Sequence, residues 1–371
     1  MRKIIISATV PVNDWACRKG QLYLSLFAIF YLVGLNVFSQ DPSFSQFTSN
    51  NLYPNPGYVG SSRKIDMLIH YRRYQVQGLA KFENIYFSLD YPLDIGDDFG
   101  LGGIGIMVFQ SSEGDGDLKS SSIGIPISTR IKMGDKFHMQ FGVMPSIVLK
   151  AINWENLIFG NQLDKYTGYN SSPSPIPDGA LENIPPYADF SFGFYGKHVS
   201  DHTNQSNAVK RIWEFGIAMH HWPVTVDESF INRYAPLPYK FVGSVKYTYP
   251  MEINKLKGSL IQPSVIYEKQ GPLSTAMISA KFIKEYFFFG VGLRNEQKRI
   301  LSYTNFTFEF GFSFFDSGFD EGKWWLVLSL DVPVYSQSLY TNTAFEISFN
   351  YKFPGLIGKG KEICPEFNWG R

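Results

Sequence analysis

Every second residue of the stretch 305–314 is a phenylalanine, and the residues between them are polar or small. Successive side chains of a β-strand point to opposite faces, so this pattern predicts a strand with one wholly aromatic face. The same period of two recurs in 345–353 and in 84–91. Long helices are disfavoured, because 33 glycines and 21 prolines are scattered along the 371 residues. The chain is therefore predicted to be all-β.

The alternation predicts about 14 strands of roughly 9–12 residues, the length that a tilted strand needs to cross a bilayer. The predicted strands lie near 65–75, 83–91, 101–111, 118–131, 136–149, 187–197, 211–221, 239–249, 258–268, 273–283, 286–295, 303–314, 323–332 and 343–353. An even count is typical of an up-and-down barrel in which both ends of the wall lie on one side.

A soluble β-sandwich is the alternative, since its strands also alternate. Such strands are shorter, about five or six residues, and their outer face is charged. Here 17% of the residues are aromatic and 18% are charged, against about 25% charged residues in soluble domains. An aromatic face suits lipid, where only a closed sheet satisfies every strand hydrogen bond. We therefore predict a transmembrane antiparallel β-barrel spanning 63–353, in place of the two globular domains that length alone suggests.

The start of the chain is typical of an export signal. Arg18 and Lys19 precede an apolar stretch from Leu22 to Phe38, and the small residue Ser39 follows it. We predict that residues 1–39 are a signal peptide, cleaved between Ser39 and Gln40, with a retained anchor helix as the alternative.

Cleavage changes the charge and the cysteine content of the mature chain. The signal holds four basic residues and one acidic residue, so its removal moves the net charge from +1 to −2. No basic surplus is then left for a nucleic-acid surface. Cys17 leaves with the signal, and Cys364 alone forms no intrachain disulfide.

The two ends of the mature chain do not have the pattern of wall strands. The segment 40–62 contains prolines, which give no donor to a sheet, and its aromatic side chains need burial. We predict that it plugs the lumen or covers the periplasmic mouth. The residues predicted to form this plug are Phe44, Phe47, Tyr53, Pro54, Asn55, Pro56 and Tyr58. Residues 354–371 are predicted to be a periplasmic C-terminal tail.

Loop lengths predict an orientation, because periplasmic turns of bacterial barrels are short and external loops are long. With the mature N-terminus in the periplasm, the short turns at 133–135 and 284–285 are periplasmic. The longest connection, 152–186, and the connection 222–238 are then external. The segment 198–210 is an awkwardly long periplasmic turn, which indicates that one predicted boundary is misplaced.

Three patterns resemble catalytic or metal sites but lack the context that such sites need. The run GLGGIG at 100–105 resembles a phosphate loop, but a strand follows it, so glycines facing a barrel interior explain it better. His220 and His221 are adjacent, so on a strand they are expected to face opposite sides and not to share a metal. The acidic loop 113–117 is a weak calcium site or, more simply, a solvated turn. We predict no enzymatic activity, no metal site and no cofactor.

Short motifs in order along the mature chain carry a family resemblance. They are QDPSFSQF at 40–47, NLYPNPGYVGS at 51–61, Tyr71-Arg72, FGNQL at 159–163, PSVIY at 263–267, FEIS at 345–348 and Cys364-Pro365. In these motifs the chain resembles the PorP/SprF family of outer-membrane proteins, which is associated with type IX secretion and gliding motility in Bacteroidota.

The resemblance implies a role in protein secretion and not in catalysis. It implies an outer-membrane location in contact with lipid, and partnership with periplasmic secretion-ring and motor components. It also implies that the protein helps an adhesin-type cargo with a C-terminal sorting domain to reach or stay on the cell surface.

Aromatic residues in or beside the longest predicted loop are candidates for cargo docking, because exposed rings anchor interfaces. These residues are Trp154, Tyr166, Tyr169 and Tyr187. Packing of this loop over the barrel mouth is the alternative interpretation. A second class of function is an outer-membrane transport channel for small hydrophobic molecules, which can also carry an N-terminal plug. An outer-membrane lipase or acyltransferase is a more distant third.

Overall fold

The alternating stretches form one antiparallel sheet. The computed structural model describes residues 41–62, 64–76, 81–95, 99–134, 136–164, 166, 168–169, 176, 179–200, 211–223, 229–231, 236–251, 259–298, 301–315, 323–334 and 342–353. These residues belong to the larger of two units of the chain, Phe38–Arg371. The predicted signal peptide and the predicted tail lie outside the described residues.

Seventeen strands occur in this part of the chain. They are β1 Asp66–Val76, β2 Lys81–Ile95, β3 Phe99–Glu113, β4 Leu118–Gly124, β5 Ile127–Met133, β6 Phe137–Ala151, β7 Leu163–Asp164, β8 Gly168–Tyr169, β9 Asn183–Ser200, β10 Arg211–Trp222, β11 Lys240–Met251, β12 Ser259–Gln270, β13 Leu273–Lys284, β14 Phe287–Lys298, β15 Leu301–Phe315, β16 Lys323–Pro333 and β17 Asn342–Lys352. No helix among the described residues is long and apolar enough to cross a membrane.

The sheet closes on itself at β1. This strand pairs with β2 on one side and with β17 on the other, with Asp66 opposite Lys352 and Val76 opposite Asn342. β4 and β5 pair in succession with the same neighbours, β3 and β6, so together they form one wall strand. The described wall is a closed antiparallel barrel of 14 strands, and the predicted fold class is confirmed.

The fourth wall strand is interrupted at 125–126, where the sequence predicts a single strand over 118–131. Pro126 has no N–H to donate, so the ladder breaks there. The interruption is still hydrogen-bonded, because Gly105 N donates to the Pro126 carbonyl (2.8 Å) and Ile125 N donates to the Pro145 carbonyl (3.0 Å). Isoleucines continue to alternate on both sides of the proline, so the sequence pattern does not reveal the break.

The aromatic faces of the strands point outward. In β15, Phe310 is 49% exposed, whereas the neighbouring Glu309 is 3% exposed. The other phenylalanines at alternate positions of this strand, from Phe306 to Phe314, are also exposed. The outer surface of the wall is therefore apolar and the polar positions face the lumen, as the alternation predicts.

The two ends of the barrel differ in their connections. At the turn end β1 begins and β17 ends, and β5 and β13 each lead into the next wall strand through two or three residues. At the loop end lie the longest connections, 152–182 and 223–239. The first of them contains the hairpin formed by β7 and β8 and two short 3-10 helices, Trp154–Asn156 and Gly160–Gln162.

β2 and β9 differ most from their predicted bounds, and β2 continues to Ile95, four residues past its predicted end. β9 begins at Asn183, four residues before the predicted start, and it continues to Ser200. Pro185 and Pro186 lie within this extension, where the sequence predicts a loop. The awkward turn is thereby shortened to 201–210, which lies outside the described residues.

Candidate functional site

Residues 41–62, here called the lumen segment, run inside the barrel. Asp41 lies at the loop end, beside the last residue of β12. The chain descends past Ser49 and returns at Pro54 to the last residues of β10 at the loop end. It then descends again to Gly60, which bonds to β2 near the turn end, before β1 begins. The segment thus occupies the lumen, the first of the two positions predicted for it.

The start of the lumen segment differs from the predicted orientation. The sequence leads to the expectation that the mature N-terminus lies at the same end as the periplasmic turns. The structure places Asp41 at the opposite end from the start of β1. The reason is that the segment doubles back within the lumen, which strand alternation cannot reveal.

Four charged side chains from the wall bind the first half of the lumen segment. They are Arg72 of β1, Arg294 of β14, Asp331 of β16 and Glu346 of β17, here called the anchor cluster. Glu346 accepts hydrogen bonds from the backbone N–H groups of Ser45 (2.7 Å) and Gln46 (3.0 Å). Arg72 forms an ion pair with the same carboxylate. Because all four members are at most 5% exposed, each charge depends on its partners in the cluster for compensation.

The hydroxyl of Ser45 joins three members of the anchor cluster. It donates to Asp331 Oδ2 (2.6 Å) and accepts from Arg294 Nη1 (2.9 Å) and from Arg72 Nη1 (3.2 Å). Hydrogen bonds to charged groups contribute about 1.5–3 kcal/mol each. A single small side chain of the segment therefore links three different wall strands.

The side chain of Gln46 uses both ends of its amide against β16 and β17. Its Nε2 donates to Ser329 Oγ (3.2 Å), and its Oε1 accepts from Ser348 Oγ (2.5 Å). Gln46 is fully buried. The polar side chains that these two strands direct away from lipid thus satisfy both ends of the Gln46 amide.

Asp41 fixes the start of the first half at the loop end. His221 Nε2 lies 2.6 Å from Asp41 Oδ2, and His221 Nδ1 lies 3.0 Å from Asp189 Oδ2. Burial alone would raise the pKa of the Asp41 carboxyl, but the charge and the hydrogen bond of His221 outweigh it and hold that pKa below its usual range. Asp41 is therefore ionised in the folded protein.

The prediction that His220 and His221 face opposite sides is wrong. The register of β10 against β9 shifts between Met219 and Trp222, and His221 adopts a φ of 66°. This bulge turns both rings into the lumen, with their centroids 6.2 Å apart. His220 Nε2 lies 3.0 Å from the carbonyl of Pro54, so the pair holds two separate points of the lumen segment.

The second half of the lumen segment lies against glycines on the opposite wall. A Cβ atom at Gly193 of β9 would lie 2.0 Å from Asn55 Oδ1. A Cβ atom at Gly142 of β6 would lie 2.4 Å from the Pro56 carbonyl oxygen. These distances are far below van der Waals contact, so the backbone of the segment approaches the wall only because the side chains are absent.

Asn55 fixes the conformation of this second half. Its Oδ1 accepts from Gly57 N (2.8 Å) and caps the 3-10 helix Pro56–Tyr58, while its Nδ2 donates to the Phe194 carbonyl (2.9 Å). Pro56 stands in the first turn of this helix, where its missing N–H is not needed. The Asn-Pro-Gly sequence thus forms a turn that fits closely against the wall.

The glycine run at 100–105 faces the end of the lumen segment. Gly60 has a φ of 74°, and a Cβ at Gly60 would lie 2.0 Å from the Gly102 carbonyl oxygen. A Cβ at Gly103 would lie 2.5 Å from Gly60 Cα. The interpretation of this run as glycines of a barrel interior is confirmed, and the run makes room for the segment.

Of the aromatic residues predicted to form the plug, Phe44, Phe47 and Tyr58 are buried in the lumen and Tyr53 is partly buried. Phe44 packs with Tyr53 in an edge-on geometry at 5.0 Å, and both rings contact Tyr86 of β2. Phe47 belongs to a second apolar cluster, with Ala218, Val242, Ile266 and Met277. Burial raises the pKa of the phenols of Tyr53 and Tyr58, so both are neutral. The seven predicted plug residues all lie in the lumen segment.

The four residues predicted for cargo docking lie on different parts of the loop end. Trp154 is half-buried, and its Nε1 donates to the Leu181 carbonyl (2.9 Å) within the loop. Tyr166 is 89% exposed. Tyr169 belongs to β8, and its side chain lies outside the described residues. Tyr187 belongs to β9 and is half-buried.

The anchor cluster was not singled out from the sequence. Its signal is nonetheless present, since Arg72, Arg294, Asp331 and Glu346 stand at inward positions of strands whose other face is apolar. A charge at such a position needs a partner inside the lumen. Among the described residues, no group of three histidine, cysteine, aspartate or glutamate side chains could hold a metal ion.

Several solved structures resemble the chain at low identity. A Pseudomonas aeruginosa FadL homologue has a TM-score of 0.43 and 11% identity, over 87% of this chain and 96% of that one. The Pseudomonas putida toluene transporter TodX has a TM-score of 0.35 and 10% identity, over 85% and 94%. The translocator domain of the autotransporter NalP from Neisseria meningitidis has a TM-score of 0.32 and 9% identity, over 94% and 100%.

A comparison with curated proteins finds no match. A family model described as type IX secretion system membrane protein PorP/SprF matches residues 36–351. This range includes the lumen segment and all but the last residue of the described wall, so it contains every member of the anchor cluster. The chain is an outer-membrane β-barrel that belongs to the PorP/SprF family of type IX secretion system membrane proteins.

Proposed function

We propose that this protein is a plugged scaffold of the type IX secretion machinery that retains an adhesin-type cargo at the cell surface. The observation that carries the proposal is the occupied lumen, in which residues 41–62 are tied to the wall from end to end. The proposal assigns the loop end to the cell exterior and the turn end to the periplasm, because external loops of bacterial barrels are the long ones.

The filling of the lumen supports a scaffold over a free diffusion channel. On one side the anchor cluster holds Ser45 and Gln46 through buried hydrogen bonds. On the other side Pro56 and Gly57 touch the backbone of Gly142 and Gly193. A path for a small molecule would require this segment to leave, at the cost of several buried charges. The surfaces left for partners are the two ends.

The exposed loop at the loop end supports a cargo-docking role there. Tyr166 is almost fully exposed at the tip region of the longest connection. The Trp154–Leu181 hydrogen bond holds that connection together from both of its sides. An exposed tyrosine on a loop held in this way is suited to anchor a partner, because a ring buries a large area at a low cost in conformational entropy. The periplasmic ring and motor components would meet the turn end.

Cargo retention on whole cells tests the docking role. A strain carrying the Tyr166→Ala variant should keep less of a cargo with a C-terminal sorting domain at the surface and release more of it to the medium, measured by immunoblot of both fractions. The matched control is Tyr239→Ala, which removes an exposed tyrosine at the same end outside the loop. Equal retention in the deletion strain and the parent would overturn the proposed function itself.

Conductance tests the plugged state. Purified protein in planar bilayers should show no steady open current with the lumen segment intact. Steady currents in the unaltered protein would support the channel alternative instead. A pull-down from native membranes that recovers neither ring proteins nor a cargo would also count against the scaffold.

A further inference from the structure

Three connections at the loop end are joined into one surface by backbone hydrogen bonds. They are 114–117, 152–182 and 223–239, here called the loop surface. Asn153 N donates to the Gly116 carbonyl (2.9 Å), which ties the first connection to the second. Leu181 N donates to the Phe230 carbonyl (2.8 Å), which ties the second connection to the third.

The longest of these connections is also held at its base. Ile152 N donates to the Glu182 carbonyl (2.8 Å), so the two ends of the connection are joined. A Cβ atom at Gly116 would lie 2.8 Å from Leu157 Cδ2, so Leu157 packs directly on the neighbouring turn. A partner therefore meets a surface that is already ordered, which lowers the entropic cost of binding.

The loop surface is acidic. Its sequence contains eight acidic residues and two basic ones, which are Asp115, Asp117, Glu155, Asp164, Asp178, Glu182, Asp227 and Glu228 against Lys165 and Arg233. Asp117 is compensated by Lys119 of β4, at 2.7 Å. The side chains of Asp115, Glu155 and Glu182 are exposed, and among the described residues none of these three forms an ion pair.

The three unpaired carboxylates stand close to the hydrogen bonds that join the connections. Asp115 precedes Gly116, Glu155 follows Asn153 by two residues, and the carbonyl of Glu182 accepts from Ile152. Their charges are thus brought together from different parts of the chain. A concentration of exposed charge of one sign attracts a partner of the opposite sign and raises the rate of encounter.

Exposed aliphatic side chains stand beside these carboxylates. Ile158 is 63% exposed, Leu181 is 45% exposed and Ile231 is 39% exposed. The hydrogen bond from Leu181 to Phe230 places Leu181 next to Ile231. These residues lie in connections beyond the paired ends of the wall strands, so the lipid face of the wall does not account for them. Exposed apolar side chains that lie together, rather than singly, are typical of an interaction site.

We infer that the loop surface binds a basic region of the cargo that also presents aliphatic side chains. This inference rests on the proposed function, which gives the loop end a cargo to retain. The carboxylates repel the phosphates of lipid headgroups, so charge argues against lipid as the occupant. Tyr166 is then one contact of a larger site that spans three connections.

Binding kinetics test the charged part of the site. The probe is the purified C-terminal sorting domain of the retained cargo, measured by biolayer interferometry on the full-length protein in detergent micelles. The Asp115→Asn/Glu155→Gln/Glu182→Gln variant should lower the association rate constant about tenfold and leave the dissociation rate constant nearly unchanged, because exposed charges act on the encounter.

Salt provides a second measurement of the same charges. Raising the ionic strength from about 0.1 M to about 1 M shortens the screening length from about 10 Å to about 3 Å. Association should slow markedly in the parent and much less in the triple variant. The matched control for charge compares Glu155→Gln with Glu285→Gln, which removes an exposed carboxylate from a turn at the other end. Only Glu155→Gln should slow association.

The aliphatic part is tested at Ile231, which lies in a different connection from Tyr166. Ile231→Ala should raise the dissociation rate constant severalfold, because it removes contact area and no charge. The matched control is Ile278→Ala, which shortens an isoleucine that is 63% exposed on the wall strand β13. It should leave both rate constants unchanged. Each variant is first checked for the compact, heat-modifiable band of a folded barrel.

Four outcomes would overturn the inference. They are the absence of saturable binding, association that is equally fast in the triple variant and the parent, equal effects of Ile231→Ala and Ile278→Ala, and displacement of the probe by phosphatidylglycerol vesicles. The last would assign the surface to lipid. Whole cells separate this inference from the proposed function. If the triple variant retains the cargo as the parent does while the deletion strain loses it, the inference fails and the proposed function stands.

Discussion

The two halves of the lumen segment are held in different ways. The first half, around Ser45 and Gln46, is bound by charged and polar side chains of β1, β14, β16 and β17. The second half, around Asn55 and Pro56, lies directly on the wall backbone at Gly142 and Gly193. Side chains can rearrange around an altered partner, whereas a backbone in contact with backbone cannot.

The two halves should therefore be sensitive to different kinds of mutation. The first half depends on a few buried charges whose loss leaves their partners uncompensated. The second half depends on the absence of atoms, so it is disturbed by adding a side chain and much less by removing one. Mutations in each half should therefore fail for different reasons and by different amounts.

The largest effect is expected from Glu346→Ala. It removes the nearer of the two carboxylates that pair with buried Arg72, which keeps only Asp331 at 3.5 Å, and it removes the acceptor for two backbone N–H groups of the segment. We expect a loss of about 3–5 kcal/mol in the free energy of unfolding. Urea unfolding in lipid vesicles, followed by tryptophan fluorescence, measures it. The control is Glu83→Gln, which alters an exposed ion pair with Arg73 and should change stability by less than about 1 kcal/mol.

A smaller effect is expected from Gly193→Val. The added side chain occupies the position of Asn55 Oδ1, so the second half must move away from the wall. We expect a loss of about 1–3 kcal/mol and new chymotrypsin cleavage at Tyr53 or Tyr58, detected by mass spectrometry. Gly243→Val is the matched control, because a Cβ at Gly243 has no atom within 4 Å. Equal cleavage in both variants would show that the close fit at Gly193 is not what holds the second half.

The smallest effect is expected from Asn55→Ala. It removes the cap of the 3-10 helix and the bond to the Phe194 carbonyl, but the backbone fit to the glycines remains. A loss of about 1–2 kcal/mol is expected in the same unfolding assay. A loss as large as that of Glu346→Ala would contradict the division of the segment into two differently held halves.

The wall of the barrel is predictable from the sequence because each strand repeats one rule. Alternation sets both the face and the length of a strand, so 14 strands were found with bounds mostly within a few residues of those observed. The errors occur where alternation carries no information. Pro126 interrupts a strand without altering its pattern of isoleucines, and the bulge at His221 inverts a face over a single residue.

The contents of the lumen are only half predictable. Prolines and aromatic residues in 40–62 point to a buried non-strand segment, and the glycine run at 100–105 points to a crowded interior. The path of the segment depends on pairings between residues that are hundreds of positions apart, such as Ser45 with Glu346. A single sequence contains both members of such a pair but does not say that they meet.

The double passage of the lumen segment constrains the order of assembly. Its two halves touch opposite walls, and its first residues reach the loop end while β1 starts at the turn end. The barrel closes where β1 pairs with β17, and Ser45 of the segment bonds to a charged side chain of each of these two strands. We therefore expect the segment to be in place when this seam forms. The segment then acts as a template around which the wall closes, and damage to it should appear first as slow or failed insertion.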